Sequence, residues 1–278
     1  MTEQNDAILV EEIEMDLLLE GLSRRYGVEL RNYARAPLWQ HLRRCMQREQ
    51  VPTISGFLHR VLRDPESLQT FLLELSTSRI QLFCDPDFYR AFRAKVVPLL
   101  RTHPVIRLWI AGCVSGEEIY STAILLEEEG IYERSRIYAT DHSQETLGLA
   151  RAGAFPLSSE SEYTTNYLRA GGKKALSDYY SVAADRMMFN PELRRNVTFA
   201  EHNLVTDGSF NEFQVVLYRY VMRYFDQSLQ ERVHELIYQS LSLFGVIGLG
   251  PRESLGSSLR EACYEPLDEE SRLYRKVL

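Results

Sequence analysis

The chain has 278 residues, of which 45 % are hydrophobic, 26 % charged and 11 % aromatic, a balance that excludes disordered, collagenous and disulfide-scaffold classes. Its length allows one large domain or two unequal ones. The formal charge of -7, from 32 Lys and Arg against 39 Asp and Glu, argues against nonspecific nucleic-acid binding by the whole molecule.

The N-terminus, MTEQNDAILVEEIEMD, is acidic where a secretory signal is basic and then apolar. No apolar run approaches the roughly 18 residues a membrane span requires. Residues 8–25 place apolar side chains at helical spacing, with acids early and arginines late as the helix dipole prefers. The pattern returns at 36–48 and 53–63, where Thr53 is a natural N-cap, and shorter helices are expected at 66–76 and 86–101. Pro37, Pro52 and Pro65 punctuate them. Residues 1–101 therefore read as a helical module. Within it, residues 23–63 carry nine arginines against Glu29 and Glu49, a local charge of +7 that leaves -14 for the rest. Such a face suits an acidic macromolecular partner, or is simply a solvated helix surface.

From residue 102 the texture changes. VIRLWIAG (105–112) is a short β-rich run ending in glycine, and EEIYSTAILLEEEG (117–130) is a helix closing on Gly130. RIYATD (136–141) is a second strand, and 143–153 a helix between Ser143 as N-cap and Gly153 as stop. This strand–helix alternation predicts a parallel α/β sheet. Residues 154–196, rich in Tyr, Ser and Gly, interrupt it as an inserted subdomain whose tyrosines are read as surface. Strands resume at 196–204, 213–219 and 245–250, with a helix at 227–241. Cys45, Cys84, Cys113 and Cys263 lack C-x-x-C pairing, which suits a reducing cytoplasm and argues against a zinc site.

The first strand opens through Ala111-Gly112-Cys113-Val114-Ser115-Gly116-Glu117-Glu118 directly into its helix. Glycines there permit a tight turn and close approach of a ligand to backbone N–H groups, at the strand ends where α/β sheets bind ligands. The G-x-x-x-G spacing is not the dinucleotide G-x-G-x-x-G. Two acids at the helix start would repel a pyrophosphate but suit an ammonium or sulfonium group. Asp141, 25 residues after Gly116, ends the second strand and can accept from both hydroxyls of a ribose. A nucleoside with a cationic tail describes S-adenosylmethionine; the plain alternative is a helix cap and a solvated strand end.

The segments AGCVSGEEIYSTAILLEEEG, YATDHSQETLGLARAGAFP and FAEHNLVTDGSFNEF closely resemble the CheR family of chemoreceptor glutamate methyltransferases. So do IEMDLLLEGLSRRYGVELRNYA, RYVMRYFD and LGPRESL, in collinear order over nearly the whole chain. The resemblance implies an α/β protein: a helical N-terminal domain (1–101) and a Rossmann-like class I methyltransferase domain (102–278) with a small inserted β-subdomain (154–196). It implies S-adenosylmethionine as donor and receptor glutamates as acceptors. Gly112, Gly116, Glu117, Asp141, Asn203, Leu204 and Val221 would then bind the cofactor, and Arg219 and Tyr224 would orient the substrate. Arg43, Arg44 and Arg48 would meet acidic receptor helices, and the inserted subdomain could dock a receptor tail by strand addition.

Four family positions depart from the pattern. Where relatives carry N-x-T-x-x-F-F-R-D-P, this chain has Ser78, Ile80 and Cys84 in place of the asparagine, threonine and arginine, and Tyr220 replaces the asparagine of Cys-Arg-Asn. Losing a charged hydrogen bond costs about 1.5–3 kcal/mol and a neutral one about 0.5–1.5 kcal/mol. Two readings stay open: an active protein-glutamate methyltransferase, and a catalytically degenerate relative that docks on a signalling partner.

Overall fold

The structure is a computed structural model. It describes residues 2–26, 28, 30, 31, 33–64, 67, 68, 71, 81–222, 225, 227–255 and 261–278, with side chains from Leu9 onward. The chain divides into two compact units, residues 1–78 with 223–229, and residues 79–222 with 230–278.

The first unit is helical. Helix α1 (Thr2–Tyr26) buries Met15, Leu18, Leu19 and Leu22 along one side, which helical periodicity brings into a single stripe. They pack with Leu38, Leu42 and Cys45 of α2 (Arg35–Arg48) and Ile54, Phe57 and Val61 of α3 (Ile54–Val61). Thr53 caps α3 as expected, its hydroxyl accepting from the Gly56 N–H at 3.1 Å. Phe225 joins this unit through an antiparallel bridge and an edge-on ring contact with Tyr33. Most of the helix expected at 66–76 lies outside the described residues.

The second unit is built on a seven-stranded sheet in the order β6-β2-β1-β7-β8-β10-β9. Its parallel strands are β1 (Ile106–Ala111), β2 (Ser135–Asp141), β6 (Val197–Glu201), β7 (Phe213–Tyr218) and β8 (Leu241–Leu249). The antiparallel pair β9 (Tyr264–Asp268) and β10 (Leu273–Lys276) closes one edge, a hairpin the sequence pattern does not reveal. The order reverses at β1, with β2 on one side and β7 on the other. A crevice is therefore expected beyond the carboxyl ends of β1 and β7.

Residues 86–100, expected with the N-terminal helices, belong instead to this unit. Helix α4 (Pro86–Ala91) runs through a π-helical turn (Phe92–Val96) into α5 (Val97–Leu100). Phe88, Tyr89, Phe92, Val96, Val97 and Leu100 are buried in the core of the sheet. The apolar face is what decides membership, and sequence alone does not show which core a helix face meets.

Helix α6 (Glu117–Glu128) follows β1, and α7 (Gln144–Ala152) follows β2. The insertion holds a three-stranded antiparallel sheet, β3 (Ala154–Pro156), β5 (Arg186–Phe189) and β4 (Tyr180–Ala183), and helix α8 (Glu160–Arg169). Glu128 at the end of α6 ties the insertion down. Its carboxylate accepts from the hydroxyls of Tyr167 and Tyr179 and the Lys173 N–H, and it pairs with Arg93. Tyr163, Tyr167 and Tyr179, read as surface, are thus buried hydrogen-bond donors.

Candidate functional site

The turn after β1 meets two of the expected residues, Val221 over Gly112 and Asp141 at the Val114 N–H. Gly112 has φ +74°, and a Cβ there would lie 2.7 Å from Val221 Cγ2, so only glycine fits beneath the Val221 side chain. Gly116, at φ +100°, is a packing position. A Cβ on it would meet Ala150 of α7 at 2.9 Å, so its missing side chain lets two helices approach and opens nothing to a ligand. Val114 between them also has positive φ, and its N–H is aimed at Asp141.

Asp141 is buried at the end of β2. Its Oδ2 accepts from the Val114 N–H at 3.2 Å, and its Oδ1 from the Ser143 N–H at 3.1 Å with His142 Nδ1 at 3.3 Å. A carboxylate has about four acceptor directions, so Oδ2 can still take a ligand hydroxyl. Burial raises the pKa of this group, against the pull of His142 and the backbone N–H groups. Asn203 and Leu204 follow the neighbouring strand β6. Asn203 Oδ1 accepts from the Val205 N–H, forming a local turn, and Leu204 is buried.

The two acids that start α6 divide their tasks. Glu117 is buried, and its carboxylate accepts from two neutral hydroxyls, Ser115 and Tyr163, the latter at 3.2 Å. Burial raises its pKa, with the two hydroxyls working against that rise. A buried carboxylate whose described hydrogen-bond partners are neutral suits a cationic ligand group. Tyr163 comes from the insertion, and the tyrosine-rich composition there gives no hint that one of its hydroxyls reaches the helix start.

Glu118 turns the other way, to Arg219. The family resemblance pairs Arg219 with Tyr224 as groups that would orient the acceptor. In the structure the Arg219 side chain is fully buried, with its donors taken up internally. Nη1 donates to Glu118 at 2.8 Å; Nη2 reaches Asp85 at 3.1 Å and the Tyr220 hydroxyl at 3.1 Å; Nε points to the Leu249 carbonyl. The guanidinium also stacks 3.7 Å above the Phe88 ring. The reason is charge balance: Glu118 is wholly buried and raised in pKa by burial, and Arg219 is the cation that stabilises its ionised form. Arg219 thereby ties the start of α6 to the Asp85 and Tyr220 segments. Tyr224, Ser78 and Ile80 lie outside the described residues.

The two described departures meet at this arginine. Tyr220 adopts φ +66°, a left-handed conformation that costs a bulky residue about 1 kcal/mol or more. Its ring centroid lies 4.9 Å from the Arg219 guanidinium, and its hydroxyl is also beside Cys84. Glu253, which the sequence reading passes over within LGPRESL, holds the strained segment. Its carboxylate accepts from the N–H groups of Gly250 at 2.7 Å, Tyr220 at 3.0 Å and Met222 at 2.9 Å. The Val221 that covers Gly112 is therefore fixed from both sides by one acid.

Two of these residues fit an adenosyl sulfonium cofactor, Asp141 for the ribose and Glu117 for a cationic amine, whereas Gly112 is covered by Val221. Among the described residues no group of three or more His, Cys, Asp or Glu is placed to hold a metal ion, and no helix is long and apolar enough to cross a membrane.

Comparisons with known proteins show the family of the chain. Residues 79–266 match the family described as "CheR methyltransferase, SAM binding domain", and residues 13–76 match "CheR methyltransferase, all-alpha domain". The chain is 41 % identical to Cher3 of Pseudomonas putida KT2440 over 265 residues, covering 95 % of this chain and 97 % of that one. It is 26 % identical to "Chemotaxis protein methyltransferase 2" of Pseudomonas aeruginosa PAO1 (89 % and 90 % covered) and 23 % identical to "Chemotaxis protein methyltransferase" of Listeria monocytogenes EGD-e (89 % and 93 % covered). Among solved structures, the N-methyltransferase NodS of Bradyrhizobium japonicum overlays with a TM-score of 0.34 at 12 % identity, covering 62 % of this chain and 63 % of that one, too low to bear on function.

Proposed function

Because the chain belongs to the CheR methyltransferase family, whose larger domain binds S-adenosylmethionine, we propose that it methylates glutamate side chains of a chemoreceptor-type partner. The observation that carries this reading is the pairing of two buried carboxylates, Glu117 and Asp141, with the glycine turn at the carboxyl end of β1.

When bound, S-adenosylmethionine supplies an electrophilic methyl: the C–S bond breaks as an acceptor carboxylate oxygen bonds to that carbon, leaving a methyl ester and S-adenosylhomocysteine. The acceptor glutamate is already ionised at neutral pH, so the chain need not provide a general base. Its work is positioning and exclusion of water. Glu117 holds positive charge, Asp141 holds hydroxyls, and Glu253 and Arg219 fix the segment that carries Val221. Arg43, Arg44 and Arg48, exposed on the face of α2 opposite Leu38, Leu42 and Cys45, are the proposed contact for acidic receptor helices.

A second reading, a docking protein with weakened donor binding, is favoured by one observation: the Tyr220 hydroxyl and Cys84 meet at Arg219, at positions where the family pattern has an asparagine and an arginine respectively. Calorimetric titration with S-adenosylhomocysteine separates the two. Low-micromolar binding, weakened about 100-fold or more (about 2.7 kcal/mol) by Asp141→Ala, is expected. No binding at millimolar ligand would leave the docking reading. The double variant Cys84→Arg with Tyr220→Asn should bind more tightly, and unchanged affinity in a folded variant would show that these two departures do not weaken the site.

A further inference from the structure

Helix α1 has two apolar sides, and only one of them is used by its own fold. Met15, Leu18, Leu19 and Leu22 are buried in the core of the helical unit. Leu9, Val10, Ile13 and Leu17 are 52–55 % exposed. At 3.6 residues per turn the two sets point about 180° apart. Single exposed leucines need no explanation, but four apolar residues aligned over two turns and opposite the core form a patch of the kind that marks an interaction surface.

The borders of this stripe say what fits it. Glu12 and Asp16 are exposed along one side and Glu14 is half-buried on the other. Asp16 pairs with Arg35 and Glu14 is hydrogen-bonded to Ser55, so neither is unsatisfied, but the border remains acidic around the apolar centre. Arg24, one turn beyond Glu20 and paired with it, ends the stripe. A second copy packed antiparallel about Ile13 would bring Glu12, Glu14 and Asp16 against their own counterparts, which like-charge repulsion disfavours. Anionic lipid meets the same objection.

We propose that the outer side of α1 docks an amphipathic helix whose apolar ridge is flanked by lysine or arginine. Side chains at positions i, i+3, i+4 and i+7 of that helix would sit on Leu9, Val10, Ile13 and Leu17, with its cations beside Glu12 and Glu14. This surface is separate from the arginine face of α2 and calls for a partner of opposite charge. It stands whether or not the methyl transfer proposed above occurs.

The test uses the full chain and a fluorescein-labelled synthetic peptide of leucine and lysine in helical amphipathic order, with its leucine and glutamate counterpart as control. Fluorescence anisotropy should show saturable binding of the lysine peptide and none of the glutamate peptide. The double variant Ile13→Ser with Leu17→Ser, checked for unchanged helix content by circular dichroism, should bind at least about tenfold more weakly (about 1.4 kcal/mol), and Glu12→Lys several-fold more weakly. Undiminished binding by the Ser double variant overturns the proposal, as does no saturable binding below about 1 mM peptide. Self-association of the unmodified chain that the Ser double variant abolishes would identify a second copy as the occupant. Co-sedimentation with phosphatidylcholine–phosphatidylglycerol vesicles that it abolishes would identify a membrane, and either result overturns the proposal.

Discussion

The two units differ in where they keep their charge. In the helical unit the core is apolar, and the ion pairs, such as Arg35 with Asp16 and Arg43 with Glu11, stand in solvent, where each contributes little to stability. In the sheet unit Glu117, Glu118, Asp141, Glu253 and Arg219 are buried, and burial raises the pKa of all four acids. Among the described residues of the helical unit no carboxylate is buried in this way. The difference teaches a division of labour. Exposed charge can be lent to a partner at small cost to the fold, whereas buried charge is kept against its solvation preference, and such groups gather where ligands bind.

The sharpest way to break this contrast is Arg219→Ala. It would leave Glu118 buried and unpaired, and should destabilise the sheet unit by about 3–5 kcal/mol in urea or thermal unfolding. Replacing both partners with apolar residues, Arg219→Met with Glu118→Leu, should recover most of that loss. A single variant within 1 kcal/mol of the parent (about the scatter for surface changes) would show that the pair is not the buried ion pair described.

A smaller and opposite effect is expected at Glu117. Its folded pKa lies above the unfolded value, so its contribution to stability is full below the unfolded pKa and is lost as pH rises through the folded one. Above the folded pKa the ionised group is held at a cost, and there Glu117→Gln should raise the melting temperature by about 2–4 °C. The gain should disappear in acid, where the parent is protonated, while affinity for S-adenosylhomocysteine falls. A variant that loses stability above that pKa would contradict the assignment.

The least effect on the fold belongs to the exposed arginines. Changing Arg43, Arg44 and Arg48 together to Gln should alter unfolding free energy by no more than about 1 kcal/mol, because exposed pairs on a helix surface, such as Arg43 with Glu11, each contribute little. Binding to an acidic receptor fragment should weaken and become less sensitive to salt. Retention of full affinity and of its salt dependence would move the docking surface elsewhere.

Much of this was legible in the residues themselves. Alternating strand and helix periods located β1, β2, β6, β7 and β8, the Thr53 cap was readable from its side chain, and Gly112, Glu117 and Asp141 stood out because turns and strand ends restrict residue choice. What the sequence hid depends on contacts distant along the chain. Residues 86–100 carry a helical pattern that fits either core. Arg219 reads as an open functional cation until the buried Glu118 facing it is seen. Tyr163 and Glu253 act through hydrogen bonds spanning about thirty or more positions, to which local patterning is blind. The β9–β10 pair escaped because short, half-exposed edge strands carry little alternation.

The grip of Glu128 on Tyr167, Tyr179 and Lys173 bears on how portable the inserted sheet is. The segment looks like a cassette, but its anchor belongs to the recipient helix. A graft of residues 154–190 into another protein of this architecture would therefore need an acid at the matching end of α6 and a cation at the position of Arg93 to seat it.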